Sequence, residues 1–366
     1  CGDVLWRSSR ILFLDKLKRN SGLRRRSSLS NFSLLGRQNI CVRIQVKLYN
    51  VKMFISITVL CLIIPLSAAA QDISNKENGS FHIYFENDTF MSTDRGFTHG
   101  FRFSWYSNDK FNKKPGFQNY LSLSIGQNIY TPDNLKLTEL DEQDRPYAGY
   151  LYLGIGIHRR NSHWMDTFEF DLGIVGPHSY AEQVQKATHF LLNNQTPSGW
   201  DNQLKDEIAV QMIYEHKVKL YTAGWSEGLG FEIIPHFGGG LGNVYIYANA
   251  GYQIRLGWKL PDDFGMGPFR PGGDCNINAR SREGVGIHAF FAVDGQAVAR
   301  NIFLDGNTFL DSHSVKKEPL TANILTGLSL IVGDFNFSFT YVFWTKKFTT
   351  EKHRNSFAAL NLSYIY

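Results

Sequence analysis

Apolar and polar residues alternate with a period of two through most of the chain beyond residue 70. Phe81, Ile83 and Phe85 alternate with His82, Tyr84 and Glu86. Phe101, Phe103 and Trp105 flank Arg102 and Ser104, and Phe168, Phe170, Leu172 and Ile174 flank Glu169, Asp171 and Gly173. Near the C-terminus Phe335, Phe337, Phe339, Tyr341 and Phe343 alternate with Asn336, Ser338, Thr340 and Val342. Successive side chains of a strand point to opposite faces, so each segment has one apolar and one mostly polar face. The pattern predicts twelve strands, near residues 81–88, 98–106, 119–127, 147–159, 166–175, 208–219, 228–238, 245–258, 286–295, 322–332, 335–345 and 355–366. A further run at 300–306 reads as part of a loop hairpin.

The apolar faces need either a protein core or lipid. Three features favour lipid. Met53–Leu66 is an apolar run followed by Ser67-Ala68-Ala69-Ala70, which reads as a secretory signal cleaved after Ala70 and is too short for a membrane helix. The strands are about 9–12 residues long, as tilted strands need to be to cross a bilayer. Aromatics gather at segment ends, as in Tyr245, Tyr247 and Tyr252 or Tyr364 and Tyr366, where interfacial girdles are expected. The last residues, Phe357 to Tyr366, place Leu360, Leu362, Tyr364 and Tyr366 two apart and end on an aromatic. Such an ending is similar to the strand that barrel assembly machinery reads. The expected fold is therefore all-β: a twelve-stranded antiparallel transmembrane β-barrel in the bacterial outer membrane. Closure would satisfy every backbone donor and leave no open edge.

Charge and cysteine content refine this picture. The formal charge of +5 comes from residues 1–52, which hold 12 Lys/Arg and 2 Asp/Glu; residues 71–366 hold 26 against 31. The barrel segment is thus mildly acidic, and nucleic acid is not an expected partner. Residues 1–52 read as an extension that is disordered or untranslated, 53–70 as the signal peptide, and 71–366 as the barrel domain. Of Cys1, Cys41, Cys61 and Cys275 only Cys275 lies past residue 70, so no internal disulfide is expected there.

One stretch breaks the alternation. Residues 179–194 read as a helix in a loop on the extracellular side, with Ser179 and Glu182 spaced as a capping box, Gly176-Pro177 before it and Pro197 after it. Gln185 and His189 share a face of that helix. A histidine so placed can act as a general base, and a solvated polar face accounts for the same spacing. Glu86-Asn87-Asp88 ends the first strand; Asn87 and Asp88 offer oxygen ligands to a hard cation or simply terminate a strand. Thr93-Asp94-Arg95-Gly96-Phe97-Thr98-His99-Gly100 enters the second strand, and Asp144-Arg145-Pro146-Tyr147-Ala148-Gly149 another. Arg145 could bind phosphate or pair with Asp144. No Gly-x-Ser-x-Gly elbow, Walker loop, His-Glu-x-x-His or Cys-x-x-Cys is present, which moves the expectation from a serine nucleophile towards a histidine-activated water.

Seven segments occur in a fixed order: Glu86-Asn87-Asp88-x-Phe90, Asp94-Arg95-x-Phe97-Thr98-x-Gly100, Gly126-Gln127-x-x-Tyr130-Thr131-Pro132, Asp144 to Gly149, Gly176-Pro177-x-Ser179, Gln185-x-x-x-His189 and Gly199-Trp200-x-Asn202-Gln203. Together they resemble the outer-membrane lipid A 3′-O-deacylase family over about residues 80–366. The resemblance implies an active site between the barrel wall and a loop helix on the outer side, with lipid A of lipopolysaccharide as substrate, calcium (Ca2+) as cofactor, and a mechanism similar to that of secreted phospholipase A2. It implies His189 as base with Gln185 beside it, Asn87 and Asp88 at the calcium or oxyanion site, Thr98 lining it, and Arg145 meeting a phosphate or sugar. It also implies a monomer surrounded by outer-membrane lipid. Gly100 departs from the pattern, which can carry serine there, and leaves the oxyanion site open in detail. A non-catalytic porin or structural barrel and an outer-membrane phospholipase are the alternatives.

Overall fold

The computed structural model describes residues 79–88, 96–107, 116–224, 228–265, 284–352 and 356–366. The leader, residues 1–52, Thr93, Asp94, Arg95 and Cys275 lie outside the described residues.

Twelve antiparallel strands close into a barrel. They are β1 (Ser80–Asn87), β2 (Gly96–Tyr106), β3 (Gln118–Thr131), β4 (Ala148–Arg160), β5 (Trp164–Val175), β6 (Glu207–Val218), β8 (Leu229–Gly242), β9 (Tyr245–Trp258), β10 (Val285–Asn301), β11 (Leu320–Val332), β12 (Phe335–Trp344) and β13 (Ser356–Ile365). Sequence neighbours pair throughout. β1 pairs with β13, and β6 with β8, which completes the ring. A short strand, β7 (Tyr221–Gly224), was not expected; it continues the edge of β8 from Gly230 to Ile233, where β6 has already ended.

The alternation sets which way each residue faces. On β4, Leu153, Ile155 and Ile157 are exposed while Tyr152 and His158, on either side of that run, are buried. On β5, Phe168, Phe170 and Leu172 are exposed while Thr167, Glu169 and Asp171 are buried. This inverts a soluble protein: the apolar side chains form the outside and the polar ones the inside, as lipid surroundings require. Twist and tilt do not disturb the rule, because a strand keeps its two-residue period.

The interior is filled. The Arg102 guanidinium pairs bidentately with Glu169, at 2.9 Å for each contact, from β2 to β5. His158 sits between Ser122 at 2.8 Å and Thr167 at 3.0 Å. His236 meets Glu215 at 2.6 Å, and Asn249 donates to Asp294 at 3.0 Å. Charges taken from water need such partners, since an unpaired buried charge costs several kcal/mol. At the rim that holds Ser80 and Ile365, Pro261, Asp263 and Phe264 tuck inward: Arg255 pairs with Glu232 and Asp263, and Arg160 with the exposed Asp262 at 3.1 Å.

At the opposite rim the lumen is bridged. Tyr130 of β3 and Tyr245 of β9 join hydroxyls at 2.7 Å from nearly opposite walls. The short helix α2 (Ile302–Asp305, numbered after the loop helix α1, Ala181–Leu191) lowers Phe303 against them, with ring centroids 4.1 Å from Tyr130 and 5.5 Å from Tyr245. Phe97, Trp344 and Phe357 pack into the same cluster.

Two expectations are corrected here. The run at 300–306 is the end of β10 followed by α2, a plug instead of a hairpin. Tyr245 and Tyr247 do not join an outer girdle: they share the phase of Asn249, Gln253 and Arg255, which are buried inside the barrel. Tyr252 has the outward phase, and Tyr366 accepts a hydrogen bond from Trp105 Nε1 at 2.7 Å while stacking on Phe81.

Candidate functional site

The long connection between β5 and β6 returns across the outer wall. Pro177–Ser179 form a turn of 3-10 helix, Tyr180 is left-handed at φ 59°, and α1 begins at Ala181. The expected capping box does not form. Ser179 belongs to the turn before the helix; its hydroxyl donates to the Gly176 carbonyl at 2.5 Å, and Glu182 pairs with Lys186. The wall sets the helix start instead. Gln127 of β3 donates to the Ser179 carbonyl at 2.6 Å.

Ala181, Gln185 and His189 form the buried stripe of α1, at the four-residue spacing that one helix face provides. Ala181 packs with Ile129, Tyr147 and Trp200. Gly149 makes this seat possible: a Cβ there would lie 2.2 Å from the Ala181 Cβ and 2.1 Å from the Ser179 hydroxyl.

The two polar members of the stripe are held by the strand of chain that follows the helix. The His189 Nδ1–H donates to the Gln195 carbonyl at 2.5 Å. A carbonyl can only accept, so the proton sits on Nδ1 and Nε2 is the basic nitrogen. The Gln185 Oε1 accepts from Trp200 Nε1 at 2.8 Å. An indole can only donate, so the amide orientation is set as well, and Gln185 Nε2 is a buried donor without a partner among the described residues.

Asn87 and Thr98 lie on the same outer face, at the same rim. Asn87 has the phase of Phe81, Ile83 and Phe85, yet it is only 8% exposed. It is the register partner of His99, which pairs with Ile129, which pairs with Gly149. One row across four strands thus runs from Asn87 to the residue under α1. A bulge between Phe97 and His99 turns Thr98 to the outer side, where its hydroxyl meets that of Thr131 at 2.6 Å. Asp88 follows Asn87 and is buried. Glu86 faces the interior, and Gly100 faces it: a Cβ on Gly100 would lie 2.5 Å from the Glu86 carboxylate and 2.7 Å from the Phe97 ring. Serine has no room at this position, and Gly100 belongs to the inner packing.

Arg145 is buried at the mouth. Its Nη1 donates to the Gly96 carbonyl at 2.9 Å, and its guanidinium lies 5.2 Å from the Tyr130 ring centre and 5.7 Å from that of Phe348. It does not pair with Asp144. That carboxylate accepts the backbone N–H groups of Asp133 and Arg145, both at 2.7 Å, and burial raises its pKa. Arg145 Nε has no hydrogen-bond partner among the described residues.

Calcium takes oxygen ligands. No group of three or more His, Cys, Asp or Glu gathers at metal-binding spacing among the described residues. Asn87 and Asp88 are consecutive, buried and oxygen-bearing, the donor type a hard cation takes, so they fit part of a calcium shell whose remainder would be backbone carbonyls, water or substrate. Residues that motif reading assigned no role are Gly149, Thr131 and Trp200. A tryptophan in a polar loop carries one usable signal, since a buried indole N–H needs an acceptor.

A closed barrel with an apolar outside, a filled polar inside and a helix seated on its outer rim defines an outer-membrane β-barrel, and places residues 132–147, 176–206, 302–319 and 345–352 at the rim opposite Ser80 and Ile365. The model of the family described as outer membrane protein LpxR matches residues 53–366, and the chain belongs to that family. Among solved structures, LpxR from Salmonella typhimurium is 18% identical and matches with a TM-score of 0.66, over 78% of this chain and 100% of that one. The beta domain of the Bordetella autotransporter Brka is 9% identical, with a TM-score of 0.42 over 79% of this chain and 98% of that one. Curated protein sequences include no match.

Proposed function

We propose that this protein is a lipid A 3′-O-deacylase, which hydrolyses an ester-linked acyl chain of lipopolysaccharide at the outer leaflet. The observation that carries the reading is the state of His189: buried against the outer wall, with its Nδ1–H donated to a carbonyl, which makes Nε2 the basic nitrogen. Membership of the LpxR family, the outer phase of Asn87 and Thr98, and the burial of Asn87, Asp88 and Thr98 support it.

In this reading the ester lies on the wall between α1 and the ends of β1 and β2. His189 Nε2 takes a proton from water as the oxygen attacks the ester carbonyl, and later gives that proton to the departing alkoxide. Gln195 holds the ring, and Trp200 holds Gln185 so that its amide N–H can donate to a substrate oxygen. Calcium held by Asp88 and Asn87 would supply positive charge to the developing oxyanion when bound. α1 packs on β4 and β3, and β2 and β1 continue the same wall towards Thr98 and Asn87. An ester at the membrane boundary need not leave the bilayer to meet this face. Arg145 would hold a phosphate or sugar of the same substrate at the rim.

The test is mass spectrometry of lipid A from cells expressing the wild type, His189→Ala or Asp88→Ala. Loss of one ester-linked chain only with the wild type is the expected result, with EDTA stopping turnover and calcium restoring it. Full activity of either variant would overturn the assignment. Phosphatidylethanolamine offered alongside separates this activity from that of a phospholipase. The bridged lumen speaks against an open porin.

A further inference from the structure

His99 of β2 is an outer-wall side chain to which the proposed reaction gives no task. It shares the outward phase of Phe101 and Phe103 and is half-buried. Its ring meets Phe85 edge-on, with centroids 5.0 Å apart. Neither ring nitrogen has a hydrogen-bond partner among the described residues. Elsewhere on the outer wall, at the rim of Ser80, ionisable groups are matched: Asp166 holds His216 at 2.7 Å, and the Arg159 guanidinium lies 4.3 Å from the Phe117 ring centre. A polar ring turned towards lipid with its nitrogens unmet costs free energy, and an ionisable residue kept in a membrane-spanning segment marks a site. Stacking alone does not account for an imidazole here. A phenyl ring would meet Phe85 as well and would face lipid without unmet nitrogens.

The place of His99 on the wall narrows what it can meet. It pairs in register with Asn87 on β1 and with Ile129 on β3, whose own partner Gly149 lies under α1. Adjacent strands run about 5 Å apart, so the imidazole stands on the stretch of wall between the helix that carries His189 and Asn87. Towards the opposite rim the same face turns apolar: Phe101, Phe103, Ile125 and Leu123 are exposed there, beside the half-buried Phe85. His99 therefore sits where an apolar track ends. An acyl chain suits the track, and the oxygens at its ester end suit the imidazole, which carries an N–H in either charge state.

We propose, on the deacylase reading, that His99 is a substrate-binding residue. Its ring N–H donates to an oxygen at the ester end of the acyl chain, while the chain runs down the wall along Phe101 and Phe103. That contact sets how deep the chain sits and holds the ester within reach of His189. An acyl chain without oxygens at that level would slide along the apolar track and leave the imidazole unmet, so His99 selects for the ester end.

The experiment compares the wild type, His99→Phe and His99→Gln as purified full chains in detergent, with acyl release from lipopolysaccharide followed by mass spectrometry across substrate concentration. Heat-modifiable migration on gels reports folding. His99→Phe keeps a ring against Phe85 but has no N–H, so kcat/KM should fall about tenfold, the worth of one hydrogen bond, chiefly through a higher KM. His99→Gln restores an N–H donor and should recover most of that loss. Binding is read separately by titrating lipopolysaccharide into His189→Ala, where adding His99→Phe should weaken affinity by a similar factor. A folded His99→Phe protein with wild-type kcat/KM overturns the proposal, because stacking on Phe85 would then be the whole role. A loss that His99→Gln does not recover overturns it as well, since the N–H would not be what counts. If the wild type releases no acyl chain, the deacylase reading fails and the binding series alone decides: equal affinity with and without His99→Phe overturns the contact, and weaker affinity keeps it.

Discussion

Replacing Gly149 with alanine tests how α1 is held against the wall. The added Cβ would lie 2.2 Å from the Ala181 Cβ and 2.1 Å from the Ser179 Oγ. The serine hydroxyl can rotate away, but the Ala181 Cβ moves only with the helix backbone. Carbon atoms settle at about 3.5–4.0 Å, so the start of α1 must rise by about 1.5 Å or the β4 wall must give. Overpacking of this kind costs about 1–3 kcal/mol, too little to open a twelve-stranded barrel. The same displacement carried to His189 exceeds the roughly 1 Å misplacement that can reduce turnover about 100-fold. Gly149→Ala should therefore lower acyl release from lipopolysaccharide by about two orders of magnitude, measured by mass spectrometry. Heat-modifiable migration on gels should show the barrel intact. Adding Ala181→Gly removes the opposing carbon and should restore much of the rate, a coupling that independent sites would not show. Wild-type turnover in a folded Gly149→Ala protein, or no rescue by the second substitution, would refute the seating of the helix described here.

Other outcomes follow from the same contacts. Trp200→Phe keeps the ring but removes the donor to Gln185, leaving a buried acceptor unmet at about 1–3 kcal/mol; acyl release should drop at least tenfold without loss of barrel folding. In planar bilayers the wild type should show no stable channel conductance, because Tyr130, Tyr245 and Phe303 close the lumen; steady openings would contradict the filled interior. Lys347→Met should raise stability to guanidinium in detergent at pH 7. The folded-state pKa of Lys347 lies at about 8, below its ordinary 10.5, because burial disfavours the charge. Its stability contribution is then present above about 10.5 and lost as pH falls through 8, so the gain from methionine should vanish in strongly alkaline buffer. A gain that persists there would point to packing instead of charge.

The barrel was legible from alternation because every strand repeats the same local instruction, one face to lipid and one inward, and Leu153, Ile155 and Ile157 obey it without reference to distant residues. The loop helix was legible too, but not its first turn: Ser179 looked like a cap by spacing, and the Gln127 contact that pins it to the wall lies 52 residues away. Tyr245 and Tyr247 show the same limit. Their aromatic character suited a membrane girdle, but they share the phase of Asn249, Gln253 and Arg255, and the closed barrel turns that face inward, where Tyr245 meets Tyr130.

What the amino-acid order determined alone was therefore the number of barrel strands and the phase of most of them, the presence of the loop helix, and the chemical types gathered near the rim. Tertiary structure decided which stretch of outer wall that helix covers, which nitrogen of His189 is basic, how Gln185 is oriented, and which aromatic rings close the lumen. The physical reason is separation along the chain. Period and propensity are written in adjacent residues, whereas Tyr130 meets Tyr245 across 115 positions and Asn87 aligns with Gly149 only through the registers of three successive strand pairs.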